Sequence, residues 1–234
     1  MIGPQERTAR LKRIAILSSL TEAELEQVAR RCKWREYSPG EQVFGYQDAV
    51  TDVLFLLAGK ARVIIYSAEG KGVVFADLTP STMFGEIAAI DRKPRSASVE
   101  ALETCTIASL SAIEFESLLR RQPEVALATL RHVTAEVRRL SERVFEFSTM
   151  VVQNRIQAEL VRLAGEATQT RGQAVLSPAP SLSDIAGRIS THREAVSREL
   201  SRLVALGLLR REQGDLRIID VARLAKLVDE AKGE

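Results

Sequence analysis

The sequence predicts an α+β chain: an N-terminal roll of short strands, one long central helix, and a small C-terminal domain of helices closed by a hairpin. Three observations carry that expectation. Turn signals recur at nearly even spacing between residues 34 and 110, and apolar residues alternate at spacings of four and three between 126 and 151. Composition then shifts at Gly165 toward Thr, Ser and Pro before short helical patterns resume. The expected domains are 1–122, 123–152 and 153–234.

A helical prelude around 21–31 opens with Thr21 and Glu24 in capping-box spacing. Ser38-Pro39-Gly40, Leu57-Ala58-Gly59, Glu69-Gly70 and Thr79-Pro80-Ser81 then punctuate β-rich runs at 53–57, 61–66 and 72–78. Many short strands at such spacing imply a small barrel or a jelly-roll-like sandwich.

Pro123 suits the first turn of the central helix. After it, Ala126, Leu130, Val133, Val137, Leu140, Val144, Phe147 and Val151 form an a/d seam, a rod on the order of 40 Å long. Glu136, Arg138, Arg139, Glu142 and Arg143 are read as keeping its other faces in water. A strict two-position stripe is narrower than the face a core-packed helix shows, so the seam predicts a parallel homodimer.

A second helical run is expected at 154–164, and Thr168, Thr170, Gly172, Ser177, Pro178 and Pro180 read as a linker. Beyond it, 183–189 and 191–206 read as helices, the second with Thr191 and Glu194 in capping-box spacing. Residues 208–211 and 216–219 read as a hairpin around Gln213-Gly214-Asp215, and a last helix runs from Asp220 to Gly233.

Composition narrows the function. With 33 Lys and Arg against 31 Asp and Glu, the net charge of +2 offers no global basic coat, so any nucleic-acid contact has to be a local patch. No apolar run reaches the roughly 18 residues of a membrane span. The charged residues 1–13 do not read as a signal peptide, which places the expected site of action in the cytoplasm. Cys32 and Cys105 stand far apart, and His132 and His192 are the only histidines, so no metal, haem or iron–sulfur site is expected. Scarce histidine also weighs against general-base catalysis, and the chain is expected not to be an enzyme.

Two strings are specific. The first is Phe84-Gly85-Glu86-Ile87-Ala88-Ala89-Ile90 followed by Pro94-Arg95-Ser96-Ala97-Ser98-Val99. A guanidinium at Arg95 can oppose a phosphodiester bidentately, Gly85 lets backbone approach closely, and Glu86 can accept from a ribose 2′-hydroxyl. The amides of Ile87 and Ala88 add anion affinity, and Ser96 supplies a rotatable hydroxyl. Taken alone, Glu86 and Arg95 read as a surface ion pair; the surrounding string reverses that reading.

The second string is Leu182-Ser183-Asp184-Ile185-Ala186-Gly187-Arg188-Ile189 followed by Arg193-Glu194-Ala195-Val196-Ser197-Arg198-Glu199-Leu200, which matches a helix-turn-helix. Arg188, Arg193, Arg198, Arg202, Arg210 and Arg211 against Glu194 and Glu199 leave a local excess of positive charge. Thr191, His192, Arg193, Glu194, Ser197 and Arg198 are candidate DNA contacts, with Arg188 and Arg202 flanking them. Arg pairs with guanine and Glu accepts from cytosine N4.

The first string resembles the phosphate-binding cassette of cyclic-nucleotide-binding domains, and the whole chain resembles the bacterial catabolite activator (Crp/Fnr) family of transcription regulators. That resemblance implies a cyclic-nucleotide-binding β-roll, a dimerisation helix and a winged helix-turn-helix. It implies cAMP as allosteric ligand, with a homodimer, palindromic promoter DNA carrying TGTGA-like half-sites, and RNA polymerase as partners. Activator-type members place a Thr-Ser pair on the dimer helix against adenine; here the pair is Leu140-Ser141, which predicts weaker discrimination and leaves cGMP open beside cAMP. The hinge of the resulting switch is expected near 147–154. Ser190 stands where the family has its turn glycine.

Rival readings are a cupin-type metal enzyme, a haem or cluster redox sensor, a regulatory subunit without DNA, and a regulator on this scaffold that senses another effector or needs none. The roll lacks the clustered histidines a cupin requires.

Overall fold

A computed structural model describes residues 3–70 and 72–233. The chain divides into two compact units: one takes residues through Tyr66 together with Phe75–Val137, the other takes Ser67–Val74 and the chain from Arg138 onward. The sequence expectation of breaks at 122 and 152 differs from this division.

In the first unit, α1 (Pro4–Leu11) starts on a proline and buries Leu11, and a 3-10 turn at Ala15–Leu17 buries Ile16 and Leu17. Helix α2 (Glu22–Arg31) carries the reciprocal Thr21–Glu24 capping box that its sequence predicts. The strands β1 (Lys33–Tyr37), β2 (Gln42–Phe44), β3 (Val53–Ala58), β4 (Ala61–Tyr66), β5 (Gly72–Leu78, which this unit takes from Phe75), β6 (Thr82–Phe84), β7 (Ser98–Ala101) and β8 (Cys105–Leu110) form two sheets. Their orders are β1-β8-β3-β6 and β2-β7-β4-β5. Helix α3 (Glu86–Asp91) interrupts the strand run, and α4 (Ala112–Arg121), capped by Ser111, follows it.

The near-continuous apolar run of β3 has a physical reason. Val53 and Phe55 enter a core with Leu11, Leu17, Leu25, Phe115 and Leu118, whereas Leu54 and Leu56 enter a second core with Tyr37, Phe84, Val99 and Ile107. Both faces of the strand are covered, so alternation disappears.

Helix α5 (Pro123–Thr149) and α6 (Val152–Glu166) follow. Val151 is not the last seam residue of α5: its backbone is extended (φ −67°, ψ 157°) and it caps α6 instead. The second unit continues with β9 (Gln169–Thr170), β10 (Gln173–Leu176), α7 (Leu182–Arg188), α8 (Arg193–Ala205), β11 (Leu209–Glu212), β12 (Asp215–Ile218) and α9 (Val221–Lys232). Its core contains Leu160, Ala174, Leu176, Ile185, Val196, Leu200, Leu216 and Ile218.

Two expectations are corrected here. The segment read as a linker contains the β9–β10 hairpin, so the terminal hairpin belongs to a sheet of order β11-β12-β10-β9. Arg171 and Gly172 both take positive φ (53° and 78°), the backbone that a two-residue hairpin turn needs. The Thr191 cap also fails. The Thr191 amide donates to the Ala186 carbonyl at 3.0 Å, which finishes α7, and His192 becomes the N-cap of α8 without a side-chain cap bond.

Candidate functional site

The first site is built where β6 ends. Gly85 has φ 75°, and a Cβ there would sit 2.5 Å from Arg95 Nη1, 3.0 Å from Leu54 Cδ1 and 3.2 Å from the Asp52 carbonyl oxygen. Glycine is therefore required twice, by the left-handed backbone and by the arginine. Arg95 is 2 % exposed: Nη1 donates to the Gly85 carbonyl at 2.9 Å, Nη2 donates to the Asp52 carbonyl at 2.7 Å, and the guanidinium lies 4.0 Å from the Phe44 ring centroid. Its Nε is buried with no hydrogen-bond partner. Burial lowers the Arg95 pKa, offset by Asp52, Asp48 and Glu86. A buried, partly unsatisfied cation suits an anionic ligand.

Glu86, the first residue of α3, is 7 % exposed. Burial raises its carboxyl above the ordinary range; its own backbone amide, His132 and Arg95 pull the other way, and Glu136 reinforces the rise. His132 Nε2 stands 4.0 Å from Glu86 Oε1. Neither His132 nor Glu136 is a binding candidate from the sequence, where Glu136 reads as a solvated flank. Their four-residue spacing on α5 places both toward one carboxylate, and that spacing is the signal available in advance. Of the remaining cassette residues, Ala88 is buried, Ile87 is half-exposed and Ser96 is exposed.

Along α5, Leu130, Val137 and Val144 are 64, 57 and 64 % exposed, and Leu140 and Phe147 are also exposed; Val133 is half-buried. A stripe of this length open to solvent on one helix marks a surface that something covers. Ser141 is exposed beside Leu140.

The second site lies on α7 and α8. Ser181 and Asp184 form a capping box that starts α7, and Ser190 takes φ 51°, the left-handed conformation the family's glycine would supply. His192, Arg193, Glu194, Arg198 and Arg202 are exposed, and Thr191 and Ser197 are half-buried. Arg193 Nε donates to Glu194 at 3.1 Å, and Arg202 donates to Glu199 at 2.8 Å. Arg188 is the exception among the candidates: it is 8 % exposed, and its Nη1 donates to Glu159 Oε1 at 3.2 Å. A helix that packs on α6 turns this arginine inward, so Arg188 does not join the exposed set. Glu199 is likewise buried, accepting from Gln157 at 2.7 Å.

Residues 34–122 match the cyclic nucleotide-binding domain family, and residues 154–227 match the Crp-like helix-turn-helix domain. The chain is 32 % identical over 199 residues to the cyclic AMP receptor protein of Thermus thermophilus, covering 82 % of this chain and 87 % of that protein. It belongs to the Crp/Fnr family.

Other members give the same picture. A CRP-like cAMP-activated global transcriptional regulator of Mycobacterium tuberculosis is 23 % identical over 217 residues, covering 92 % of this chain and 97 % of that protein. A CooA mutant from Carboxydothermus hydrogenoformans superposes with a TM-score of 0.78 at 20 % identity, covering 92 and 94 % of the two chains. FixK2 from Bradyrhizobium japonicum gives 0.73 at 19 %, covering 84 and 96 %. Those two likenesses show the fold. As a Crp/Fnr member this chain is a regulator of transcription with a cyclic-nucleotide-binding domain and a helix-turn-helix, and it is not an enzyme.

The cysteines of this Crp/Fnr chain lie in separate apolar cores. Burial pushes the Cys32 thiol up to about 12 and raises Cys105, whose Sγ donates to the Lys60 carbonyl at 3.0 Å. Among the described residues no group of three or more His, Cys, Asp or Glu is placed to hold a metal ion, and no helix is long and apolar enough to cross a membrane.

Proposed function

We propose that this protein is a homodimeric cytoplasmic regulator in which cAMP, held by the cassette of the first unit, favours binding to palindromic promoter DNA. The observation that carries the ligand reading is Arg95: a buried guanidinium with an unpartnered Nε at a glycine turn, one residue from a buried carboxylate that can accept from a ribose hydroxyl. The Ile87 and Ala88 amides and the Ser96 hydroxyl complete the anion set, and Leu140 and Ser141 are the candidate contacts for the base. With Leu140 in place of a hydroxyl residue, cGMP remains a competitor at this site.

The dimer reading rests on the exposed stripe Leu130, Val137, Leu140, Val144 and Phe147. DNA reading falls to Arg193, Glu194, Ser197 and Arg198, supported by Thr191, His192 and Arg202, with two half-sites about one helical turn apart. A regulator at a promoter also meets RNA polymerase. The effect of the ligand is a population shift: contacts made only in one arrangement of the dimer favour that arrangement.

Calorimetric titration with cAMP and then cGMP, repeated with a palindromic guanine-containing duplex present, tests the reading. Nucleotide binding that tightens with DNA present supports a ligand-switched regulator, because coupling between sites is reciprocal. Absence of binding by two methods refutes the nucleotide reading and leaves a Crp/Fnr regulator of another effector. A structural relative from Xanthomonas campestris, described as a c-di-GMP responsive global regulator, superposes with a TM-score of 0.73 at 18 % identity, so cyclic di-GMP is the next ligand to titrate.

A further inference from the structure

Resting on the nucleotide reading above, we propose that His132 and Glu136 of α5 are positioning residues for Glu86, and that they make nucleotide binding take up a proton. The geometry is a cluster inside the first unit. Glu86 is buried at the start of α3, His132 faces it with Nε2 4.0 Å from Oε1, and Glu136 lies one helical turn further along α5. Arg95 completes the charges around the carboxylate. The groups acting on Glu86 are thus His132 and Glu136 from α5, Arg95 from the loop after α3, and the Glu86 amide.

The sign of the coupling follows from charge. Glu86 feels Glu136, His132 and Arg95, and Arg95 in turn faces Asp48 and Asp52, so protonating His132 places one more positive charge among carboxylates. A cyclic nucleotide adds one negative charge to the same site. Its arrival favours the protonated form of the imidazole that faces Glu86. Proton uptake on binding means that affinity rises as pH falls, by at most tenfold per pH unit for each proton taken up. Glu136 opposes the ligand in its ionised form, whereas His132 holds Glu86 in the ionised form that can accept from a ribose hydroxyl. Burial, reinforced by Glu136, raises the Glu86 carboxyl, and His132 pulls it back.

Because the chain holds only two histidines, the test is direct. The dissociation constant for cAMP is measured from pH 6 to pH 8 for the full-length protein, for His132→Gln and for Glu136→Gln. Far-ultraviolet dichroism and Trp34 emission establish that the variants are folded. The expected wild-type result is an affinity about five- to tenfold tighter at pH 6 than at pH 8. His132→Gln should flatten that profile to less than about twofold, and Glu136→Gln should bind about threefold tighter than wild type at pH 8. In a parallel titration of ¹⁵N-labelled imidazoles, cAMP should raise the midpoint of His132 and leave that of His192 in place. A flat wild-type profile with binding intact overturns the proposal, as does a His132→Gln profile as steep as wild type. Absence of cAMP binding at every pH overturns instead the nucleotide reading on which the proposal rests, so the two failures differ in what is seen.

Discussion

Replacing Gly85 by alanine separates two costs that the structure places on one residue. Gly40 is the internal reference: it lies in the same unit, takes φ 81° against 75° for Gly85, and has open space where its Cβ would go. Gly40→Ala therefore reports only the left-handed backbone, a loss of about 1–2 kcal/mol reduced by about 0.4–1 kcal/mol through the less flexible unfolded chain. Gly85→Ala bears the same backbone cost and also drives a methyl to 2.5 Å from Arg95 Nη1, with Leu54 and the Asp52 carbonyl behind it. Arg95 is 2 % exposed and can yield only by withdrawing Nη1, so its bond to the Gly85 carbonyl is lost. A hydrogen bond from a charged donor contributes about 1.5–3 kcal/mol, which brings the total for Gly85→Ala to roughly 2–4 kcal/mol. Trp34 is the single tryptophan and lies in β1, so urea unfolding followed by its emission reports this unit. With an m-value of about 2 kcal/mol/M, the midpoint should fall by about 1–2 M for Gly85→Ala and by about 0.4 M for Gly40→Ala. Nucleotide affinity should fall only in the first. Equal midpoints in the two variants would refute the idea that Arg95 is locked against this turn.

Further outcomes follow from the same structure. Glu86→Gln should stabilise the nucleotide-free protein on the order of 1 kcal/mol at pH 7.5 while weakening nucleotide binding. The folded carboxyl is raised by burial, so its ionisation penalises the fold as pH rises through that value, and the gain should vanish near pH 4; a gain equal at both pH values would contradict this. Val144→Glu puts a charge on the exposed stripe of α5, and light scattering at micromolar concentration should then find monomer. A persistent dimer would move the interface elsewhere. Arg198→Ala should cost about 1–3 kcal/mol in DNA affinity and relax base preference at one position. Arg188→Ala should instead lower stability by about 1–3 kcal/mol and leave base preference intact, since it strands part of the charge of buried Glu159. A changed base preference in Arg188→Ala would return that residue to the reading surface.

The legible parts of the chain are those in which a local pattern has a local cause. Turn residues bound β3, β4 and β5, the four-and-three spacing sets α5, and the string from Phe84 to Val99 marks the cassette, because a turn glycine and a buried arginine ten residues apart constrain each other. What stays hidden depends on partners distant in sequence. Arg188 reads as one more exposed cation until Glu159, buried on α6, is seen to hold it. The β9–β10 hairpin hides in a Thr- and Ser-rich stretch whose apolar Ala174 and Leu176 are too few to show a period. His132 and Glu136 sit on a helix whose apolar seam dominates the pattern, and their relation to Glu86 spans the chain from α3 to α5. Even Ser190 looks unsuited to its turn by residue type, yet the surrounding helices hold it at positive φ.

The expected hinge at 147–154 also changes meaning once the ion pairs are placed. Glu146 lies on α5 just before the break, and Arg162 lies on α6 beyond it. Arg162 Nη1 donates to both oxygens of Glu146, at 3.0 and 2.9 Å, with Glu146 only 3 % exposed. Its Nε donates to Glu159, which accepts in turn from Arg188 of α7, and Lys232 of α9 reaches Glu146 at 3.3 Å. A buried carboxylate with two cationic partners is expensive to separate from them, by about 3–5 kcal/mol for one broken pair. Bending at Met150 and Val151 would pull this network apart, so the break between α5 and α6 is braced, and the second half of α5 moves with the helices that carry the reader. The compact unit that contains the reader accordingly takes α5 from Arg138 onward, well before the helix ends, together with Ser67–Val74.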